Sequence, residues 1–174
     1  MIAKIDKNIS KLTLVAFYIS MFSVLFVMCL VILDAFLRKI VLQSILGSYE
    51  IASFALLCAV FASWSYCQTQ KGHVRVFLVI MRFPNTVRMI LNAFSCLVGT
   101  VIIVYLVYAA IVQTEYSLTE GTVSGVLLIK FYPFYIYEAV TMTLFAITLA
   151  WDFVKSLIAL KDKELSAEIQ KEWI

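Results

Sequence analysis

The chain has 174 residues, of which 63% are hydrophobic and only 14% charged, with a mean hydropathy of +0.98. That balance excludes an ordinary soluble domain and a disordered chain alike. The formal charge of +3 is no sign of nucleic-acid binding, because the basic residues gather at the ends of long uncharged stretches.

Those stretches are residues 12–33, 51–70, 89–114 and 131–151, and the only Asp, Glu, Lys or Arg within them is Glu138. Each reaches the roughly 20 residues that a helix needs to cross a hydrocarbon core of about 30 Å. Backbone groups in lipid must be satisfied within the segment, so the spans are predicted to be α-helices. The fold class expected is all-α: one integral membrane domain over 1–174, with four transmembrane helices and short interfacial amphipathic segments.

Lys4, Lys7 and Lys11 precede the first span. Its apolar run exceeds the roughly 7–15 residues of a signal-peptide core, and no small-x-small cleavage site follows, so it is expected to remain as a span. Asp34 and Arg38, spaced i,i+4 just after it, can pair along one helix face. Glu50 opens the second span, where a carboxylate suits the positive end of the helix dipole. Arg38 and Glu50 both belong near the outer membrane boundary, where they can pair with each other or with another subunit. Ala52, Ala55, Ala59 and Ala62 line one face of the second helix. Small residues allow close approach, within this bundle or against a partner.

Lys71, His73, Arg75, Arg82 and Arg88 separate the second span from the third. The apolar residues of 74–83 are too few to cross and read as an interfacial segment. On the third span, Asn92, Ser95 and Gly99 form a small, polar packing stripe. Tyr132, Tyr135 and Tyr137 mark the outer start of the fourth, while Trp64, Tyr66 and Trp151 lie near inner ends, as an aromatic belt would. Glu138 lies about 10 Å along the fourth helix from Phe131 at 1.5 Å per residue. An acid inside a span is a functional candidate, although a hydrogen-bonded structural group is the commoner case. Past the fourth span, Leu165, Ile169 and Trp173 recur every four residues among charges, which suggests an amphipathic helix on the inner surface or on a partner.

Eleven of the 14 basic residues lie before the first span, between the second and third, or after the fourth; Arg38, Lys39 and Lys130 are the exceptions. Positive charge stays cytoplasmic, so both termini are expected inside. The four cysteines raise a quinone-linked thiol oxidase as a rival. Such an enzyme needs cysteine pairs open to the oxidising side. Cys29, Cys58 and Cys96 lie within spans, Cys67 lies near an inner end, and no C-x-x-C occurs. They read as packing residues. His73 is the sole histidine, and neither a glycine-rich phosphate loop nor a Ser/His/Asp set is present. No catalytic residue, cofactor or metal is expected.

Short motifs carry a family resemblance over nearly the full length. Asp34-Ala-Phe-Leu-Arg38, Gly47-Ser-Tyr-Glu-Ile51 and Gln70-Lys-Gly-His-Val-Arg-Val76 occur in that order. Phe83-Pro84 followed by Arg88, and Phe131-Tyr-Pro-Phe-Tyr135, complete the set. In sequence and spacing they resemble the small membrane subunit, the DctQ family, of tripartite ATP-independent periplasmic (TRAP) transporters. The most specific is the basic, His-containing exit from the second helix, with His73 and Arg75. Tyr137-Glu138-Ala139-Val140 departs from the family pattern, so no role for Glu138 follows from it.

The resemblance implies a scaffold subunit in the bacterial inner membrane, seated in lipid and clamped beside the static part of a large multi-span membrane subunit. That large subunit would hold the substrate and sodium sites. A periplasmic substrate-binding protein would deliver an organic anion, with a minor docking contact here. Dicarboxylates, sialic acid, other sugar acids and sulfonates all fit. The alternative is an independent four-helix carrier or channel acting as an oligomer.

Overall fold

The structure, a computed structural model, describes residues 2–70 and 85–159. Four helices account for nearly all of them: α1 (Ile2–Ile40), α2 (Ser48–Thr69), α3 (Asn85–Glu120) and α4 (Tyr132–Ala159). Each is long and apolar enough to cross a membrane. They overrun the uncharged stretches at most ends, by ten residues at the start of α1. Hydropathy marks only the lipid-facing part of a helix, and polar residues continue the same backbone ladder into the headgroup layer. The interfacial segment 74–83, the C-terminal amphipathic pattern, His73 and Arg75 lie outside the described residues.

We name the ends by the charge asymmetry: Arg38, Lys39 and Lys130 mark the outer end, Asp6 and Lys155 the inner. The helices pack in the order α1, α2, α4, α3, with α1 along α2, α2 against α4, and α4 along α3. The two flanking helices therefore bury only narrow seams. On α1 the buried positions are Thr13, Ala16, Ser20 and Asp34; on α3 they are Ala93, Cys96, Ile103, Ala110 and Ser117. Thirteen, 20 and 34, like 96, 103, 110 and 117, fall on a seven-residue repeat. That is the repeat of helices crossing at a shallow left-handed angle. Most seam residues are small, which lets the backbones approach. At one such approach Ser20 Oγ donates to the carbonyl of Ala59 over 2.7 Å.

The central core is formed by Ile103 of α3 with Met142, Phe145, Ala146 and Leu149 of α4, covered by Phe61 and Trp64 of α2 and Val107 of α3. Aromatic stacking ties the other joints. Phe17 stacks on Tyr66 at 4.4 Å between ring centres, and Phe54 on Phe134 at 4.1 Å.

The outer connections are tight. Gly47 caps the start of α2 in the left-handed region, φ +72°. A Cβ there would meet the Leu127 side chain at 2.4 Å, so conformation and packing both demand glycine. Pro133 sits in the first turn of α4, where its missing N–H leaves no helix bond unmade.

Candidate functional site

Two clusters of polar side chains stand out, one at each end of the bundle. At the outer end Arg38 Nη2 donates to Asp34 Oδ2 over 2.6 Å, one turn along α1 as the spacing predicts. Arg38 is 65% exposed and Asp34 only 10%, so the guanidinium contributes little by itself. The other Asp34 oxygen accepts the backbone N–H of Ile45 at 2.8 Å and so pins the α1–α2 connection.

Glu50, in the first turn of α2, reaches across to the connection between α3 and α4. Oε1 accepts the N–H of Val126 at 2.8 Å and Oε2 that of Leu127 at 3.0 Å. Arg38 and Glu50 thus have separate partners, and the expected option of a pair between them is not used. The reason is geometric: a carboxylate with two oxygens matches two consecutive backbone N–H groups. The same connection is closed by Ser124, whose N–H donates to Ile129 O and whose Oγ accepts the Ile129 N–H. A bridge between Val123 and Lys130 and a hydroxyl pair between Ser117 and Thr122 at 2.6 Å complete it.

The inner end holds a second cluster. Gln68 Nε2 donates to Asp152 Oδ2 at 2.6 Å, both groups being buried. Asn92 Nδ2 donates to Ser156 Oγ at 2.6 Å, and Ser156 Oγ donates on to the carbonyl of Asp152. Trp151 Nε1 donates to Asp6 Oδ1 at 2.7 Å, and Lys155 pairs with the same carboxylate. Beside them lies a cavity of about 220 Å³, lined by residues that include Ser10, Thr69, Trp151 and Lys155. Both clusters cross-link helices and loops, and their groups are occupied with one another.

Ala59 and Ala62 are buried inside the bundle, while Ala52 and Ala55, nearer the outer end, are only half-buried. On α3, Asn92 and Gly99 face α4, but Ser95 is exposed. At 100° per residue the seam runs through Cys96, and Ser95 is turned away from it. Glu138 is half-buried, and among the described residues its carboxylate has no hydrogen-bond or ion-pair partner. Cys29 is exposed, Cys58 and Cys67 are half-buried and Cys96 is buried, all as free thiols. Among the described residues no group of three His, Cys, Asp or Glu side chains is placed to hold a metal.

Asp152 and Gln68 escaped the sequence reading because the fourth uncharged stretch ends at Trp151 and an uncharged amide leaves no mark on a charge count. The available signal was spacing: Glu138, Phe145 and Asp152 fall seven apart on one face of α4.

A family model described as "Tripartite ATP-independent periplasmic transporters, DctQ component" matches residues 27–158. Neither a curated protein nor a solved structure gives a significant match. The matched region runs from the middle of α1 to the last turn of α4 and includes both polar clusters apart from Asp6. The chain belongs to the DctQ family, the small membrane component of tripartite ATP-independent periplasmic transporters.

Proposed function

We propose that this chain is the static scaffold subunit of a sodium-driven importer of an organic anion, a carboxylate or sulfonate, with sialic acid among the candidates. It sits in the inner membrane with both termini cytoplasmic. It supports the large membrane subunit, which carries substrate and sodium, and adds a minor docking contact for the periplasmic binding protein. It performs no catalytic step and needs no cofactor.

The observation that carries this reading is how the polar groups of the spans are used. Gln68 is held by Asp152, Asn92 by Ser156, Asp34 by Arg38 and Ile45, and Ser20 by the Ala59 carbonyl. These are cross-links near helix ends and seams, suited to a rigid frame. Carriers commonly build their sites at mid-depth from broken helices, whereas α1, α2, α3 and α4 each run as one helix across their span.

The test reconstitutes the large subunit with and without this chain, adding binding protein, a sodium gradient and labelled sialic acid or dicarboxylate. Uptake should require both membrane subunits, and anion binding by the isolated soluble protein should be unaffected by this chain. Sodium-driven uptake by this chain alone would overturn the scaffold reading.

A further inference from the structure

α3 carries a second stripe, on the side away from α4. Phe94, Val98, Val101, Tyr105, Tyr108 and Val112 follow one another at alternating steps of four and three residues, and all are exposed. That spacing sets the six along one face of the helix, and what distinguishes this face from the outward face of α1 is its two phenols. Tyr105 and Tyr108 are 69% and 65% exposed, and among the described residues neither hydroxyl has a hydrogen-bond partner.

Their depth argues against lipid as the covering. The uncharged stretch of α3 lies between Arg88 and Glu115, with its midpoint at Val101 and Ile102. Tyr105 and Tyr108 therefore lie about 5 and 10 Å past the centre, toward the C-terminal end, at 1.5 Å per residue. Side chains on a helix lean toward its N-terminus, so both phenols are carried back toward mid-membrane. Hydrocarbon offers a hydroxyl nothing to bond there. Tyr18 of α1 is the useful contrast. It is also exposed, but it lies in the N-terminal half of its span and leans toward the nearer membrane surface. That lean carries its hydroxyl outward, in the direction of headgroups and water. The outward face of α1 around Phe22, Leu25 and Phe26 is apolar and suits lipid. Exposed Glu115 continues the α3 stripe at the outer boundary, where a carboxylate complements a basic side chain.

We propose that this stripe of α3 is the face that docks on the large membrane subunit. It fits a spanning helix that presents oxygen acceptors to Tyr105 and Tyr108 at mid-depth and a Lys or Arg to Glu115 near the outer boundary. The assignment rests on the subunit reading above and names its contact.

The experiment places the photo-crosslinker p-benzoylphenylalanine at Tyr105 or, separately, at Phe26 in the assembled complex in membranes. Label at Tyr105 should join the large subunit, and label at Phe26 should not. Crosslinking from Tyr105 to lipid alone, or to a second copy of this chain, overturns the assignment. So does capture of the large subunit from Phe26 and not from Tyr105, although the scaffold reading would survive that result. If the unsubstituted chain fails to co-purify with the large subunit at all, the scaffold reading itself falls. As a second arm, Tyr105→Phe with Tyr108→Phe keeps both rings and removes both hydroxyls. Recovery of the large subunit on the tagged double variant should fall about 30-fold, the factor that loss of the two hydrogen bonds implies, with its own membrane level unchanged. Undiminished recovery overturns the assignment.

Discussion

Gly47 and Gly121 offer a controlled measurement of how firmly the outer loops are packed. Both glycines have left-handed backbones, at φ +72° and +64°. An alanine at either position suffers the same intrinsic penalty, about 1–2 kcal/mol for an L-residue held in that region. They differ in what a Cβ would meet. At Gly121 nothing lies within 4 Å, whereas at Gly47 three carbons of Leu127 lie between 2.4 and 2.8 Å. Overfilling a packed contact adds about 1–3 kcal/mol. Gly47→Ala should therefore destabilise the outer connection by about 2–5 kcal/mol and Gly121→Ala by only about 1–2 kcal/mol. The readout is the alkylation rate of a cysteine placed at half-buried Ile129, in an otherwise cysteine-free chain. At about 1.4 kcal/mol per tenfold, the extra clash should make labelling of the Gly47 variant roughly 5- to 150-fold faster than that of the Gly121 variant. Combining Gly47→Ala with Leu127→Ala should remove most of that difference, because the two sites touch. Equal rates in the two single variants would refute the packing of Leu127 over Gly47.

Four further outcomes are expected. An impermeant thiol reagent applied outside should modify single cysteines placed at positions 115–125 and leave those at 161–171 untouched; the opposite pattern would invert the topology. Gln68→Leu removes a donor from buried Asp152 and should lower stability by about 1–3 kcal/mol, read as a fall in the thermal midpoint of the purified subunit; an unchanged midpoint would show that the bond contributes nothing. Ala59→Leu, at a position 3% exposed beside Ser20, should destabilise by about 1–3 kcal/mol through overpacking, whereas Ala52→Leu should be tolerated; the reverse order would remove α1 from that face. Replacing all four cysteines by Ser or Ala should preserve assembly and uptake, and lost uptake in a fully assembled complex would revive a redox role.

How far the sequence could be read depended on which physical signal carried each feature. The four spans were legible because lipid imposes a length and a hydropathy on each helix, and the Asp34–Arg38 pair because it lies within one turn. Helix pairing was much less so. In a membrane protein the residues inside the bundle are not the most apolar ones: Thr13, Ser20 and Ser117 are buried while Phe22, Ile32 and Phe94 are exposed. Lipid accepts large apolar side chains as readily as a core does, so close approach of small and hydroxyl-bearing residues decides the seams. The Ala59/Ala62 end of the alanine face could be suspected on those grounds, and the seven-residue repeat of Cys96, Ile103, Ala110 and Ser117 was present but masked by equally apolar neighbours.

The partner of Glu50 was beyond any pattern in the chain. Its acceptors' counterparts are the N–H groups of Val126 and Leu127, more than seventy positions away. Backbone donors have no sequence signature, and only the fold brings that turn over α2. The same physics separates the two glutamates that the sequence singled out. Glu50 is tied into its own chain, which makes it a fixture of that end of the bundle. Glu138 stands inside a span with its carboxylate unmatched among the described residues. On the scaffold proposal, Tyr105 and Tyr108, exposed on the outward face of α3 and unmatched among the described residues, are where a second membrane protein would meet this one.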